Sequence, residues 1–371
     1  MRRKLYVNPI IHGTVVLLFL FQLGLPLSSL AQSKTYYFYN PELKYGSQFY
    51  FNPASTFING GFDILRNGGH TKDITDQAYK RSAQNVWENI SQPWQSIEQY
   101  GWKYFISEEI FPLGIDKDES QYIPNYLHHM LGGGMLYVKM AEWYDYHRVP
   151  YPRLTSAITS LLYHFLNETL ENHGYVGNNT DPIADLLIFN PLGILLFSST
   201  SVKKFFSERL QFYDWSLQPL YNPLNHHIEN AGQQFVMFHK APFTEKYSVF
   251  YYYGIYGIVG LSYQWKSDDH ISFGAGLVVN KLEENMRRES RFLTPKLDGA
   301  LGLFYDRNRS LLWSMLITGP KMYNARLNIY PGFLRIGWFH PGFYLAAGEW
   351  DKFMVGVTVA HIPIGLMTRI D

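Results

Sequence analysis

After Tyr221 the chain alternates with a period of two, and no other feature limits its fold so tightly. Ile271, Phe273, Ala275 and Leu277 alternate with Ser272, Gly274 and Gly276, and Leu297, Leu301 and Leu303 with Asp298, Ala300 and Gly302. Phe353, Val355, Val357 and Val359 alternate with Met354, Gly356, Thr358 and Ala360. Two is the side-chain period of a strand. One face is mostly large and apolar, the other mostly small or polar, whereas a water-facing sandwich carries more Lys, Glu and Thr. The pattern predicts a barrel whose outside meets lipid, with roughly eight to twelve antiparallel strands and an even total. Residues 247–255 are less regular, because Phe250 and Tyr252 put bulk on the second face. Residues 283–294 read as the longest polar connection. The chain ends Arg369-Ile370-Asp371, without the terminal aromatic usual in such barrels.

Composition agrees. Charged residues are only 17% and aromatics also 17%, against about 25% charged in soluble domains. A surplus of Tyr and Phe suits interfacial girdles. The net charge of +1 is spread without a basic face, so nucleic acid is not an expected partner. Arg2, Arg3 and Lys4, the apolar residues 14–25 and the small residues before Gln32 spell a signal peptide cut after Ala31. Cysteine is absent, which excludes disulfides, a lipoprotein anchor and thiolate metal sites. The expected location is therefore the outer membrane of a Gram-negative bacterium. The expected partners are its lipid and other envelope proteins.

The expected domains are a signal peptide (1–31), an N-terminal segment (32–120), a helical domain (121–220) and a C-terminal barrel (221–371). Residues 48–65 can hold two short strands, broken at Pro53 and turned at Asn59-Gly60-Gly61. Ala83, Val86, Trp87 and Ile90 fall at helical spacing. The helical domain is the one long stretch of helical period, and it divides into three to four hydrophobic helices. A first helix covers 124–147, where Gly132-Gly133-Gly134 makes sense if another backbone comes very close. A second follows Pro150 and Pro152, with Leu154, Ile158, Leu161, Leu162 and Phe165 as its buried stripe. A third starts at Asp181-Pro182, a cap followed by proline in the first turn, and is interrupted at Pro191. A fourth follows Ser198-Ser199-Thr200, with Val202, Phe205, Phe206 and Leu210 inward. The fold class is α+β: a membrane barrel with a helical domain.

Polar residues sit out of place in these helices. His164, Glu168 and Glu171 share one stripe, a spacing that can hold a divalent metal or form an acid–base pair. The alternative is a solvated helix end. His128 and His129 are a similar case, one of them facing inward as a hydrogen-bonded core histidine. Asp185 has apolar helical neighbours Ile188, Phe189 and Leu192, so its charge needs a partner. The catalytic candidates are thus His128, His164, Glu168, Glu171 and Asp185. No nucleophile elbow, phosphate loop or HExxH motif is present, and no cofactor or metal is expected.

The order His128, the glycines, Tyr137, Glu168, Glu171, Asp185, Asn190 and Gly193 resembles an uncharacterised family of Gram-negative outer-membrane proteins. These carry a helical hairpin domain beside a β-barrel. More distantly, His…Glu…Asp-x4-Asn-x2-Gly is similar to the helical membrane domain of VanZ-like proteins, without the arginine those place between Glu and Asp. The resemblance covers about the central fifth of the chain. It implies an architecture and a polar cluster, with no settled reaction. Two functions compete: a structural or accessory subunit of an envelope complex, and a lipid-acting hydrolase or transferase using the His/Glu/Asp cluster. Transport of a small solute is a third reading.

Overall fold

The computed structural model describes residues 35–67, 71–112, 126–241, 244–287, 289–319, 323–348 and 352–370. The signal peptide and the expected helix opening at Pro124 lie outside these residues. The helices are α1 (Gly46–Tyr50), α2 (Pro53–Phe62), α3 (Tyr79–Ser91), α4 (Pro93–Tyr100), α5 (Gly133–Tyr146), α6 (Pro152–Asn172), α7 (Asp181–Ser198) and α8 (Thr200–Lys204). Wide π turns cover Phe105–Ile110, Tyr126–Gly132, Ala184–Phe189 and Phe205–Arg209.

The expected strands of residues 48–65 are helices instead. Asn52 caps α2: its Oδ1 accepts from Ser55 N at 2.9 Å, and its own N–H donates to Ser55 Oγ at 3.2 Å. Pro53 then opens the helix, where its missing N–H costs nothing. Gly60 and Gly61 make no turn. A Cβ on either would strike Tyr163 and Gln233 or Leu166, so they bring α2 close to α6. Helices α2 and α3 thus pack on α6 and join the layer of α5–α7 instead of forming a strand-bearing segment of their own. Residues 46–50 also cross the ends of distant strands: Gln48 N donates to Ser310 Oγ, and the Tyr50 hydroxyl to Pro363 O.

Helix α6 is turned the opposite way from the expectation. The buried side of α6 is Ser156, Ala157, Ser160, Tyr163, His164, Asn167 and Glu168. Of its expected stripe, Ile158 is 44% and Leu162 55% exposed, while Leu154, Leu161 and Phe165 are half-buried. The helix expected around 83–90 forms as α3 with Val86 buried and Ile90 packed on the core, but Trp87 stands outside and Ser82, Asn85 and Asn89 are buried with Val86. Hydrogen bonding decides this: Asn85 Nδ2 donates to Asn172 Oδ1 at 2.9 Å, and Asn167 Nδ2 to Asp63 Oδ1 at 2.6 Å. Phe205, expected inward, is also exposed.

Among the described residues one sheet of 13 strands follows, more than the eight to twelve expected. Its strands are β1 (Tyr213–Asp214), β2 (Leu220–Asn222), β3 (His227–Glu229), β4 (Gln234–Lys240), β5 (Tyr247–Gly254), β6 (Tyr256–Gln264) and β7 (Asp269–Arg287). Then come β8 (Ser290–Arg307), β9 (Ser310–Thr318), β10 (Tyr323–Ile329), β11 (Pro341–Gly348), β12 (Phe353–Val359) and β13 (Gly365–Ile370). From β4 to β13 each strand pairs antiparallel with the next, and β13 pairs parallel with β2. In ladder order the sheet is open, ending on β1 and β3. The two end ladders nevertheless share one register: Tyr213 faces Val236 and Leu220 faces Glu229, with Trp215 N→Gln234 O and Leu217 N→Gly232 O between them. The sheet begins before Tyr221.

The alternation has the expected sense. Ile271, Phe273, Leu277, Leu301, Phe353 and Val357 point outward, while Ser272, Phe304, Ser314, Tyr344 and Thr358 are buried. Residues 283–287 and 290–294 are not a loose connection; they extend the β7–β8 ladder, pairing Glu283 with Thr294. Their polar side chains bond across the strands, as in Lys296 Nζ–Glu283 Oε1 at 2.6 Å. The last residues do form the final strand, β13.

Candidate functional site

Backbone contact between α5 and α7 assembles the site. A Cβ on Gly134 would lie 2.7 Å from Gly193 O, and one on Gly193 would lie 2.5 Å from Met130 O. The glycine run therefore does admit a neighbouring backbone, at Gly134. Gly132 makes room for the Phe235 ring, whereas Gly133 opens toward His164 Nε2 and Asn190 Oδ1.

Within this contact His129 Nε2 lies 3.0 Å from Asp185 Oδ2, and its Nδ1 lies 3.3 Å from Asn190 Oδ1. Glu168 completes the group, since donor atoms of His129, Glu168 and Asp185 all fall within 4.8 Å of one another. His164 lies beside it, its ring centroid 4.9 Å from that of His129. Glu171 stands farther along the same helix face, where Arg291 Nη2 donates to its carbonyl at 2.7 Å. His128 is turned away: its Nε2 is 3.9 Å from Asp63 Oδ2 and its ring stands edge-on to Phe235.

So Glu168 and Asp185 come together, His164 and Glu171 flank them, and His128 does not join. His129 takes the place expected of His128. The sequence reading missed Glu109 altogether, although an acidic pair between Ile106 and Ile110 is an audible signal. Glu109 is buried, and Thr180 Oγ1 donates to it at 3.4 Å. His129, Asp185 and Glu109 each sit in a π turn. These rare turns rotate side chains out of helical register and recur at functional sites. The one holding Asp185 directly precedes Pro191, which has no N–H to continue the regular ladder.

The titratable groups pull apart. Burial opposes a charged His129, but the Asp185 carboxylate outweighs it and holds the ring up at about 9. Burial, helped by the His129 charge, pushes His128 down to about 3 and His164 well below the ordinary imidazole range. Burial, then the neighbouring Asp181 and Asp185, raise Glu109 and Glu168 well above the carboxylate range. Glu171 rises to about 8 through burial and Asp181. Asp63 rises to about 7 through burial, against the Asn167 hydrogen bond.

An amide network fixes the loop that leads to Asp181. Asn85 Oδ1 accepts from Gly177 N, and Asn89 Oδ1 from Asn179 N and Ser96 Oγ. The β7–β8 hairpin closes over this loop, with Arg291 N and Ser290 Oγ both donating to Asn178 O. The result is a rigid mount for a charged centre. No family model, no curated protein and no solved structure matches this chain.

Proposed function

We propose that the chain is an outer-membrane β-barrel protein whose helical layer carries an acid–base centre acting on membrane lipid. The observation that carries this is the inverted polarity of the helices: α6 and α7 turn His164, Glu168, Asp185 and Asn190 inward and Leu162, Leu187, Leu192 and Leu195 outward. Such a layer suits a lipid interface better than water. Its α7 is apolar enough to cross a bilayer, but it is read as lying within the layer, more than half of it buried.

The barrel reading is supported by the shared register of the β1–β4 and β2–β3 ladders. Residues 213–222 and 227–236 then act as one hairpin, whose first strand meets β13 and whose second meets β5, closing the ring. Strands β5, β6 and β9, of eight or nine residues, approach the length of a tilted membrane strand. Exposed Tyr247, Tyr263 and Trp265 stand at strand ends, as interfacial aromatics do.

His164, its Nε2 unpartnered and aimed into the space beside Gly133, is placed to take a proton from a bound molecule, with the Glu168 and Asp185 carboxyls next to it. The test is to reconstitute the purified chain with extracted outer-membrane lipid and follow lipid species by mass spectrometry. New products that vanish in Asp185→Asn support the reading; an unchanged lipid profile with the folded wild type refutes it. A second reading, as accessory subunit of an envelope complex, is favoured by exposed Trp87, Trp94 and Trp102, the last two 5.5 Å apart.

A further inference from the structure

We propose that His129, Glu168 and Asp185 together bind one divalent transition cation of the zinc type. The inference rests on the reading of this cluster as the reactive centre and names its cofactor. The ligands come from three elements that the glycine contacts hold together: the turn Tyr126–Gly132, α6 and α7. Zinc takes imidazole nitrogen and carboxylate oxygen at about 2.0–2.2 Å, which places its donors roughly 3–4 Å apart. Here the three donors lie within 4.8 Å, and His129 Nε2 and Asp185 Oδ2 are already 3.0 Å apart. Modest closure of Glu168 completes the set.

The outer shell fits as well. Asn190 Oδ1, 3.3 Å from His129 Nδ1, is placed to accept a hydrogen bond from that nitrogen, which turns Nε2 toward Asp185. That is how a ligating histidine is oriented. The Nε2 and Oδ2 atoms, 3.0 Å apart, hold a proton between them that a cation would displace.

The independent observation is a pair of unpartnered atoms. Asp185 Oδ1 and His164 Nε2 have no hydrogen-bond partner, and each residue is only 3% exposed. His164 Nε2 points into the space left by Gly133, beside the Asn190 oxygen that orients His129. Buried polar atoms are almost always paired, and an exception asks for an ion, a water or a role in chemistry. His164 is placed to act on a molecule bound at the cation.

The test uses the full chain in detergent, stripped with a chelator and dialysed against zinc alone. Wild type should retain one zinc per chain, and Glu168→Gln and Asp185→Asn should weaken binding at least tenfold, while the surface change Glu88→Gln leaves it unaltered. X-ray absorption of zinc on wild type should show nitrogen and oxygen donors with a single imidazole, which decides the matter should the variants fail to fold. Folded wild type without stoichiometric zinc, cluster variants that bind normally, or a spectrum lacking imidazole would each overturn the proposal. Zinc binding without lipid turnover would sink the acid–base reading alone. Turnover that persists in chelated, zinc-free protein would sink the metal alone.

Discussion

Replacing each glycine of the run by alanine should give opposite results at adjacent positions. A Cβ on Gly134 lands 2.6 Å from Phe197 Cδ2 and 2.7 Å from Gly193 O, so α5 and α7 must part. Overpacking of this kind costs about 1–3 kcal/mol. The gain in helix propensity from Gly to Ala returns only about 1 kcal/mol. Gly134→Ala should therefore destabilise the chain, and the displaced helix should loosen the His129–Asp185 contact. At Gly133 the new Cβ would lie 3.4 Å from His164 Nε2 and 3.7 Å from Asn190 Oδ1, an ordinary contact. Gly133→Ala should then be neutral or up to about 1 kcal/mol more stable. Urea unfolding in detergent, followed by tryptophan fluorescence, measures both. Equal midpoints for the two variants would refute the reasoning, because it would mean that the helices are not in backbone contact.

Other outcomes follow from the same structure. The mature chain should fractionate with outer membrane and run as a heat-modifiable band, and recovery as a soluble monomer would refute the barrel. Lys139 is fully buried, 2.9 Å from Asp214; Asp214→Leu should cost about 3–5 kcal/mol, and the double change with Lys139→Met should recover most of it. Full additivity of the two single changes would show that they do not interact. Asp63 holds a proton in the fold up to about pH 7 that the unfolded chain releases near pH 4, so its share of stability is complete below pH 4 and falls as pH rises to 7. Asp63→Asn should flatten that part of the urea-midpoint profile, and profiles of identical slope would rule the assignment out. Asp185→Asn should fold yet fail to complement a deletion strain if the centre is reactive; normal complementation would mark it as structural.

The outer face of the sheet and the helix starts at Pro152 and Asp181 were legible, because period and capping act within a few residues. The direction of α6 was not. Assigning Leu154, Ile158 and Leu162 to the core assumed water outside, and the buried side was instead settled by partners far along the chain, such as Asn85 for Asn172. The same blindness put strands at 48–65, although Asn52-Pro53 and Ser55 carried a capping signal. It also read 283–294 as a loop, since polar residues at a ladder's far end satisfy one another across strands. In the site, Glu168 and Asp185 stood out by their apolar neighbours. Asn190 was placed by the resemblance, whereas Glu109 acquires meaning only where π turns from separate segments meet.

The seam between residues 46–50 and the strand ends bears on how the chain reaches this state. Gln48 bonds to a residue 262 positions later and Tyr50 to one 313 later. Contacts of such span form only after most of the chain is in place, and topologies dominated by them fold slowly. Residues 46–50 are thus among the last to dock. Until β9 and the β12–β13 turn exist, they have nothing to sit on, and their helix must be kept from aggregating in the meantime. Assembly of this protein should therefore finish at residues 46–50, with a late step that a chain truncated before β13 never reaches.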